Sequence, residues 1–536
     1  MARIDRRDFL LMAGMAPLAG WFLDDPSVAP YDLVIRGATV FDGVGGAGRE
    51  LDVAIRRDRI AALARRIRTA GLIEIDARGL ALAPGFVDVH SHADGTLFDD
   101  PRLESVVRQG ITTVVVGADG SSRIPDRQGR TRMADWFAEV DALEPGANVA
   151  SMVGLGRVRQ VVVGDDDRPA TAEELRRMVR LVDAALASGA CGASAGLEYT
   201  PGAFASLDEL VALCRPLARR RLPYSPHQRN EDDRILESVT ESLAVGRRAG
   251  CPVHIAHLKT QGPRNWSKID RVLQLIDRAR QAGRDVSFDR YPYLAYQTGL
   301  TNLFPLWSRD GGTEAFLKRL DDDTLSARLA EAVEAKIELI GGWDRVLITS
   351  VGADEDRAAE GKRLPELDGP ASMYERTVGL LRRSRGSVGM VGFAMSEENL
   401  ERLLAHRHGM VSSDGGAVAI EGPARRAHPH PRSLGTFPKV LGRYVRERKT
   451  LTLADAIRKM TDRPARRVRL PKRGRVALGW YADLVVFDPA TIADRATFEQ
   501  PFAYPDGITA VVVNGKLALH QGQRGPGSGR TVGPAR

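Results

Sequence analysis

A unit in which a helical pattern ends at glycine and runs straight into an apolar strand recurs four times in this chain. The glycines are Gly110, Gly189, Gly250 and Gly283. Glycine just past a helix adopts the left-handed cap conformation that other residues resist. Four more apolar runs bring the number of strands to eight, and they lie near Phe86 and at 149–153, 222–225 and 410–412. Repeated helix–strand units of this kind favour a parallel sheet covered by helices, and eight predict a closed (β/α)8 TIM-like barrel.

The segments on both sides of these units alternate in the manner of strands. Residues 31–76 contain three such runs separated by glycine-rich turns, and 482–488 and 510–516 repeat the pattern. We therefore expect one small β-sandwich domain built from both chain ends, at 30–82 and 471–520, around a barrel at 83–470. A helical pattern within 301–398 predicts a helical insertion between strands seven and eight. Residues 521–536 are expected to form a disordered tail.

The amino terminus resembles an export signal. Arg6 and Arg7 precede Phe9, Leu10 and a short apolar region, which is typical of a twin-arginine signal over residues 1–29. An ordinary amphipathic helix is the competing interpretation. The signal predicts transient contact with the twin-arginine export machinery and a periplasmic or other extracytoplasmic location. Neither this region nor any later run is long enough for a stable membrane span.

Charge and cysteine content limit the kinds of partner and covalent cross-link that we expect. The net charge of +8 comes from arginines scattered along the whole chain, without interleaved aromatic residues, which favours a solvated surface and no nucleic-acid partner. Three cysteines are too few for a disulfide framework.

A candidate metal site follows the turn at Pro84 and Gly85. The side chains of Asp88, His90, His92 and Asp94 alternate along a strand and project to one side, where two imidazoles between carboxylates can hold a divalent ion. A polar loop is the alternative interpretation.

Further candidate ligands end or follow other predicted strands, where barrel enzymes place their chemistry. They are Asp119, His227, His257 and Asp414. His254 lies three residues before His257 on a strand, so it should face away.

These motifs resemble the amidohydrolase superfamily and, within it, the N-acyl-D-amino-acid deacylase family. The matching stretches are 84–92, 110–117, 196–202, 227–231, 257–259, 289–293, 395–398, 412–415, 430–432 and 482–488. The resemblance covers almost everything from Tyr31 to Lys516.

The resemblance implies a metal-dependent enzyme that hydrolyses the amide bond of N-acyl-D-amino acids with a metal-activated water. His90 and His92 would hold one metal with Asp414, and His227 with His257 a second or principal zinc. The expected cofactor is one or two Zn²⁺ ions, with other divalent metals admitted.

The resemblance also implies roles in proton transfer and substrate binding. Asp414 would be the general base that passes a proton to the leaving amine. The substrate carboxylate would be held by Lys259, with Tyr291 or Tyr293 and with Arg229. A structural ion pair is the alternative role for Arg229.

Two positions depart from the family pattern. The family turn Gly-Asn-Cys-Gly, whose Cys binds metal, reads Gly-Ala-Asp-Gly here, so Asp119 is expected to bind and bridge the metals in place of a thiolate. A carboxylate is a harder ligand that admits manganese or cobalt more readily. The alternatives are a plain turn role for Asp119 and a bridge made by Glu198. The family's His after the third strand is replaced by Leu155.

Two other functions stay open at this point. A cyclic amide or dipeptide hydrolase would use the same superfamily chemistry. A non-catalytic binding protein on this scaffold would not need all five of the candidate groups His90, His92, His227, His257 and Asp414, and all five are present.

Overall fold

The computed structural model describes residues 31–126, 128–368 and 371–534. The expected export signal at 1–29 lies outside the described residues.

The strands follow one another in chain order as β1 (Tyr31–Val40), β2 (Arg49–Arg56), β3 (Arg59–Ala64), β4 (Gly71–Asp76), β5 (Ala81–Pro84), β6 (Phe86–Asp88), β7 (Ile111–Val116), β8 (Asn148–Ser151), β9 (Val153–Gly154), β10 (Ala193–Gly196), β11 (Tyr224–His227), β12 (Val253–Ile255), β13 (Val286–Arg290), β14 (Tyr296–Gly299), β15 (Val346–Val351), β16 (Val388–Gly392), β17 (Gly409–Val411), β18 (Leu484–Phe487), β19 (Ile508–Val513), β20 (Lys516–His520) and β21 (Gln523–Arg524).

The α-helices are α1 (Glu104–Arg108), α2 (Met133–Asp141), α3 (Leu155–Val162), α4 (Ala172–Ala187), α5 (Leu207–Arg220), α6 (Ile235–Ala249), α7 (Ile269–Gln281), α8 (Gly312–Leu320), α9 (Asp323–Ile340), α10 (Met373–Arg383), α11 (Glu397–Ala405), α12 (Arg432–Lys439), α13 (Leu453–Met460) and α14 (Asp462–Arg467). A π-helix at Val440–Glu447 continues α12. Short 3-10 helices lie at Ala93–Gly95, Gly202–Phe204, Pro263–Lys268, Leu300–Leu303, Leu306–Arg309, Trp343–Arg345, Asp354–Ala359 and Leu364–Glu366.

The two chain ends share one sheet, as the sequence predicts. Its order is β21-β20-β19-β18-β5-β1-β2-β3, and β4 pairs with β1. The junction is the antiparallel pair of β18 and β5, in which Leu484 lies opposite Pro84. Alternate residues such as Leu33, Ile35 and Val486 face a common apolar core, so the period-two pattern of the sequence is the reason the sheet forms.

The barrel has the predicted parallel strands. β6, β7 and β8 pair in order, and β9, β10, β11, β12, β13 and β17 continue the series. The third barrel strand is divided at Met152 into β8, which pairs with β7, and β9, which pairs with β10. Backbone hydrogen bonds close the circle: the Asp414 N–H donates to the His90 carbonyl oxygen, and the His92 N–H donates to that of Gly415, both at 2.9 Å.

Local signals at the helix ends behave as expected. The four cap glycines all have φ between +76° and +120°. Thr171 and Glu174 form a complete capping box at the start of α4, and the Ser206 hydroxyl accepts the Glu209 N–H at the start of α5. These ends direct each following strand into the barrel.

The insertion differs from the purely helical segment that the sequence suggests. It contains α8, α9 and α10, but also β15 and β16, which form an antiparallel sheet with the preceding β14 in the order β14-β16-β15. The insertion has its own apolar core, in which Ile348 and Met390 from the sheet join Leu329 and Val333 from α9. The helical interpretation overlooked the sheet because β15 and β16 are short and far apart in sequence.

The expectation of a disordered tail is also corrected, because residues 521–534 pair with β20 and pack against the barrel. Strand β21 pairs with β20, and beyond it the Val149 N–H donates to the Arg530 carbonyl oxygen at 3.0 Å. A Cβ on Gly527 would lie 1.7 Å from the Glu144 carbonyl oxygen. Glycine is therefore needed at this position, because the two backbones approach too closely for a side chain.

No helix of the described residues is both long and apolar enough to cross a membrane. Cys191, Cys214 and Cys251 are buried and unpaired.

Candidate active site

The carboxyl ends of the barrel strands surround a cavity of about 620 Å³. His92, Asp119, His227, His257 and Asp414 all line it. Residues that the sequence places on five different strand ends are thus brought together, as the barrel topology requires.

Four side chains form a first cluster of donor atoms: His90, His92, Asp119 and Asp414. The Nε2 atom of His90 lies 3.4 Å from an oxygen of Asp119 and 3.4 Å from Asp414 Oδ1. The Nε2 atom of His92 lies 3.3 Å from Asp119 and 3.1 Å from Asp414. Two imidazole nitrogens and two carboxylates therefore converge on one point.

A second cluster contains Asp119, His227 and His257. Asp119 Oδ1 lies 3.4 Å from His257 Nε2 and 3.8 Å from His227 Nδ1. Because Asp119 belongs to both clusters, its carboxylate has the position of a bridging ligand.

Backbone conformation aims two of these carboxylates into the cavity. Asp119 and Asp414 have φ of +49° and +50°. Aspartate visits the left-handed region more readily than most residues. The chain can therefore turn sharply after each strand and still direct a carboxylate into the cavity. Residues in this left-handed conformation are strained, and such strain is concentrated at functional sites.

The electrostatics of the two clusters are those of opposite charges held together. Burial opposes ionisation, but His90 and His257 keep the pKa of Asp119 well below its usual range. Burial also disfavours the charged imidazoles, yet Asp119 and Asp289 raise the pKa of His90, and Asp119 with Asp414 raises that of His92 to about 9.

The donor set fits a divalent metal. His90 Nε2 and Asp119 Oδ1 are buried polar atoms without a hydrogen-bond partner among the described residues, and they face each other. A shared cation would satisfy both, and imidazole nitrogen with carboxylate oxygen is a ligand set that zinc accepts.

Asp289 is a supporting residue that single motifs did not reveal. It is fully buried, and one oxygen lies 2.9 Å from His254 Nε2 and 3.8 Å from His90 Nδ1. Its other oxygen accepts the His257 N–H at 3.1 Å and the Ser412 hydroxyl at 2.5 Å. Asp289 thereby orients both clusters, and His254 stays outside them as its strand position predicts.

Asp88 likewise supports the site from outside the clusters. It accepts hydrogen bonds from the Ser413 N–H, at 2.9 Å, and from the Ser413 hydroxyl. Burial raises the pKa of Asp88 to about 7. Its role is to join the first barrel strand to the last beside Asp414.

Lys259 is held in a buried pair and is not a free cation for a substrate. Its Nζ lies 2.6 and 2.7 Å from the two oxygens of Glu231, and 2.7 Å from His257 Nδ1. Glu231 also lies 3.2 Å from His257 Nδ1. With Glu231, Lys259 thus contacts His257 at the cavity wall, and direct binding of the substrate carboxylate by Lys259 stays a prediction.

Arg229 and Tyr293 lie outside the cavity lining. Arg229 makes a double ion pair with Glu241 at 2.9 Å and donates to the carbonyl oxygens of Ala203 and Ala205. The Tyr293 hydroxyl donates to the Pro431 carbonyl oxygen at 3.3 Å. The polar groups of both residues are directed to protein partners, and for Arg229 this is the ion pair that the sequence offers as the alternative role.

Two neighbouring residues are better placed for an anion. The Tyr291 hydroxyl and the Arg432 Nε are buried without a hydrogen-bond partner among the described residues. Both side chains line the cavity, and the Arg432 guanidinium lies 4.8 Å from the centre of the Tyr291 ring. Arg432 is also 2.7 Å from Asp414 Oδ2. The stretch 430–432 contained this signal, but its arginine received no role from the sequence.

Glu198 does not have the position of a bridge. Its carboxylate lies 3.1 Å from His227 Nε2, whereas the Nδ1 atom of the same ring faces Asp119. It therefore contacts the side of the His227 ring that faces away from Asp119, where Glu198, His227 and Glu231 form a third group of possible donor atoms.

Comparison with known proteins agrees with this arrangement. Residues 74–518 match the family model described as the amidohydrolase family. An N-acyl-D-glutamate deacylase of Alcaligenes xylosoxydans xylosoxydans is 37% identical over 512 residues, covering 91% of this chain and 94% of that protein. A D-aminoacylase of the same organism is 35% identical, with the same two coverages.

A solved structure resembles the whole chain. It is an N-acyl-D-glutamate deacylase of Bordetella bronchiseptica complexed with zinc and a phosphonate inhibitor that mimics the tetrahedral intermediate. The identity is 34% and the TM-score 0.79, over 94% of this chain and 100% of that one. With this overall match, the chain belongs to the amidohydrolase family, in the group of the N-acyl-D-amino-acid deacylases.

Proposed function

We propose that this protein hydrolyses the amide bond of N-acyl-D-amino acids in a metal-dependent reaction. The observation that carries the proposal is the pair of donor clusters that share Asp119 inside the cavity. Relatives that cover nearly the whole chain are named for this reaction.

The metal is zinc, in one or two ions. His90, His92 and Asp414 would hold one ion and His227 with His257 the other, with Asp119 between them. Zinc bound there would lower the pKa of a water molecule and polarise the amide carbonyl. The carboxylate in place of the thiolate also makes the site more tolerant of manganese or cobalt.

Asp414 is the proton carrier. Burial opposes its ionisation, but Arg432 and His257 hold the pKa of Asp414 far below its usual range. It is therefore ionised and able to accept a proton before substrate binds. A substrate carboxylate at Arg432 would weaken the pair at 2.7 Å and raise the pKa of Asp414 when the proton must be taken.

The substrate's α-carboxylate binds at Arg432 and Tyr291. A guanidinium offers donors in a fork that matches a carboxylate, and the Tyr291 hydroxyl adds another. Both face the cavity beside Asp414, so the scissile amide would lie next to the proton carrier.

The test is a panel of N-acetyl D- and L-amino acids with the zinc-loaded protein. We expect hydrolysis of D-substrates, loss of activity with a chelator, and recovery when zinc is returned. Cyclic amides and dipeptides form the comparison arms, and turnover of those alone would replace the proposed reaction with the runner-up chemistry. A protein that binds less than one transition metal per chain and hydrolyses nothing would be a binding protein.

We propose in addition that the protein is exported through the twin-arginine route. The basis is the sequence around Arg6, Arg7, Phe9 and Leu10. Replacing Arg6 and Arg7 with Lys should leave active enzyme in the cytoplasm, whereas Arg3→Lys should not change its location. Export of the double variant at the normal level, measured by cell fractionation, would contradict the proposal.

A further inference from the structure

We propose that Arg157 makes the cavity selective for N-acyl-D-amino acids that carry a second carboxylate. This inference rests on the proposed function and specifies its substrate class. The second carboxylate can come from an acidic amino-acid side chain or from the acyl group, as in an N-succinyl compound.

Arg157 is anchored to the turn that carries Asp119. Helix α3 starts at the end of the third barrel strand, and the Arg157 N–H donates to the Gly120 carbonyl oxygen at 2.8 Å. A Cβ on Gly156 would lie 3.0 Å from the same oxygen, so the two segments are in close contact. The backbone of Arg157 therefore contacts Gly120, the residue next to Asp119.

The guanidinium of Arg157 is oriented by neutral groups only. Its Nε donates to the Ser122 carbonyl oxygen at 3.3 Å, and its Nη1 donates to Gln160 Oε1 at 2.8 Å. Within residues 31–126, 128–368 and 371–534, Nη2 has no hydrogen-bond partner and no carboxylate pairs with Arg157. These two contacts with neutral groups orient the guanidinium, and its remaining N–H groups are available to a ligand.

The other cations of the cavity wall are already paired. Lys259 lies 2.6 Å from Glu231, and Arg432 lies 2.7 Å from Asp414. Arg157 is thus the one lysine or arginine in the described lining without a carboxylate partner. A guanidinium without a carboxylate partner at a cavity wall attracts an anion, and it can donate two parallel hydrogen bonds to a carboxylate.

The rest of the wall gives an aliphatic group little to pack against. In the part of the chain that the structure describes, the lining includes no Leu, Ile, Val, Met or Phe. Its uncharged members are glycines, hydroxyl and amide side chains, three tyrosines and Pro201. A long apolar side chain or fatty acyl group would gain little burial there, while a short polar one would be solvated by the wall.

The test compares three substrates with the zinc-loaded enzyme: N-acetyl-D-leucine, N-acetyl-D-glutamate and N-succinyl-D-leucine. We expect kcat/KM to be highest for one of the two dicarboxylates, and that arm identifies the source of the second carboxylate. In Arg157→Met this preference should fall about 10- to 100-fold, the range expected for hydrogen bonds to a charged group. Arg157→Lys should keep part of it, because lysine supplies charge without the fork.

The controls separate selectivity from damage to the site. Arg157→Met should lower kcat/KM for the favoured dicarboxylate at least about tenfold more than for N-acetyl-D-leucine, because the lost contact is made by the second carboxylate. Arg176→Met, at an exposed position on α4, should change none of the three values.

A binding measurement keeps the inference independent of turnover. In the Asp414→Asn background, calorimetry should show that the favoured dicarboxylate binds more tightly than N-acetyl-D-leucine, and that Arg157→Met removes the difference. Equal binding and equal turnover of all three compounds by wild type would overturn the role of Arg157 while leaving the deacylase function intact. Absence of all hydrolysis, together with Arg157-dependent binding, would overturn only the proposed reaction.

Discussion

At the scale of single residues, Asp119 matters most for the geometry of the candidate metal site. It faces His90 and His92 on one side and His257 on the other, so one carboxylate joins two sets of imidazoles. A turn residue alone would not leave a buried oxygen without a hydrogen-bond partner. The geometry therefore favours a ligand over a simple turn role.

Substituting Asp119 tests this assignment. Asp119→Ala should lower bound metal and reduce hydrolysis by more than the roughly 10- to 100-fold typical of an outer partner, because a ligand itself is lost. Asp119→Cys should restore metal content with a stronger bias to zinc. Glu198→Ala is the comparison and should have the smaller effect on metal content. Full metal and activity in Asp119→Ala, measured by elemental analysis and assay, would make Asp119 a turn residue.

The proton-transfer role of Asp414 makes a separate prediction. Asp414→Asn keeps the shape of the side chain but cannot accept the proton, so kcat should fall about 10²–10⁴-fold while most metal is kept. Asp94→Asn, in the same His-containing motif but outside both clusters, should retain activity. Near-normal turnover of Asp414→Asn in a steady-state assay would remove Asp414 from the mechanism.

At the scale of elements, a buried polar network joins the two-ended sheet to the barrel. Asp483, next to β18, bonds to Arg473 and accepts the Asn514 N–H at 2.8 Å. The Asn514 amide donates to Asn148 Oδ1 at 2.7 Å, on barrel strand β8. All four residues are buried, so the pattern 482–488 in the sequence marks a junction between domains as well as a strand.

Breaking this junction should be costly. Asp483→Ala leaves the Arg473 charge buried and unpaired, which destabilises a protein by about 3–5 kcal/mol. Asp354→Ala removes an ion pair with Arg357 in which both side chains are largely exposed, and such pairs contribute about 0–1 kcal/mol. Denaturant unfolding of both variants checks the difference. An equal effect of the two substitutions would mean that the network does not hold the domains together.

At the scale of the whole molecule, metal binding and protonation compete for the same imidazoles. The pKa of His92 is raised to about 9 by Asp119 and Asp414 against the effect of burial. In the metal-free protein this pairing stabilises the fold below about pH 6.5 and is lost as the pH rises through about 9. Metal needs the neutral ring, so its affinity should rise over the same range.

Thermal unfolding should show opposite pH dependences for the stability of the metal-free protein and for the stabilisation by zinc. We expect the Tm of the metal-free protein to fall between pH 6.5 and 9, and the gain in Tm on adding stoichiometric zinc to grow. A chelator should reverse the gain at every pH. His520→Gln, a substitution far from the clusters on β20, is the control and should leave both trends unchanged. A zinc-induced gain that is independent of pH would exclude proton competition at the site.

Local patterns predicted the barrel and the strand ends at which the candidate ligands lie. Glycine after a helix, alternating strands and residues at strand ends are properties of neighbouring residues, and they carry over directly into β6–β13 and β17. His90, His92, Asp119, His227, His257 and Asp414 meet because parallel strands end at the same face. The chemistry of these residues came from the family resemblance, as an expectation, because spacing alone does not identify a reaction.

Pairing between distant residues was decided by the tertiary structure alone. Whether a cation faces a substrate or a carboxylate depends on neighbours that are distant in the sequence. Arg229 pairs with Glu241 and Lys259 with Glu231, whereas Arg157 pairs with no carboxylate of the described residues. The same holds for the sheet formed by β14, β15 and β16, and for the carboxyl-terminal segment against Val149. Periodicity reports which side of an element is buried, whereas partner choice depends on the closure of long loops in space.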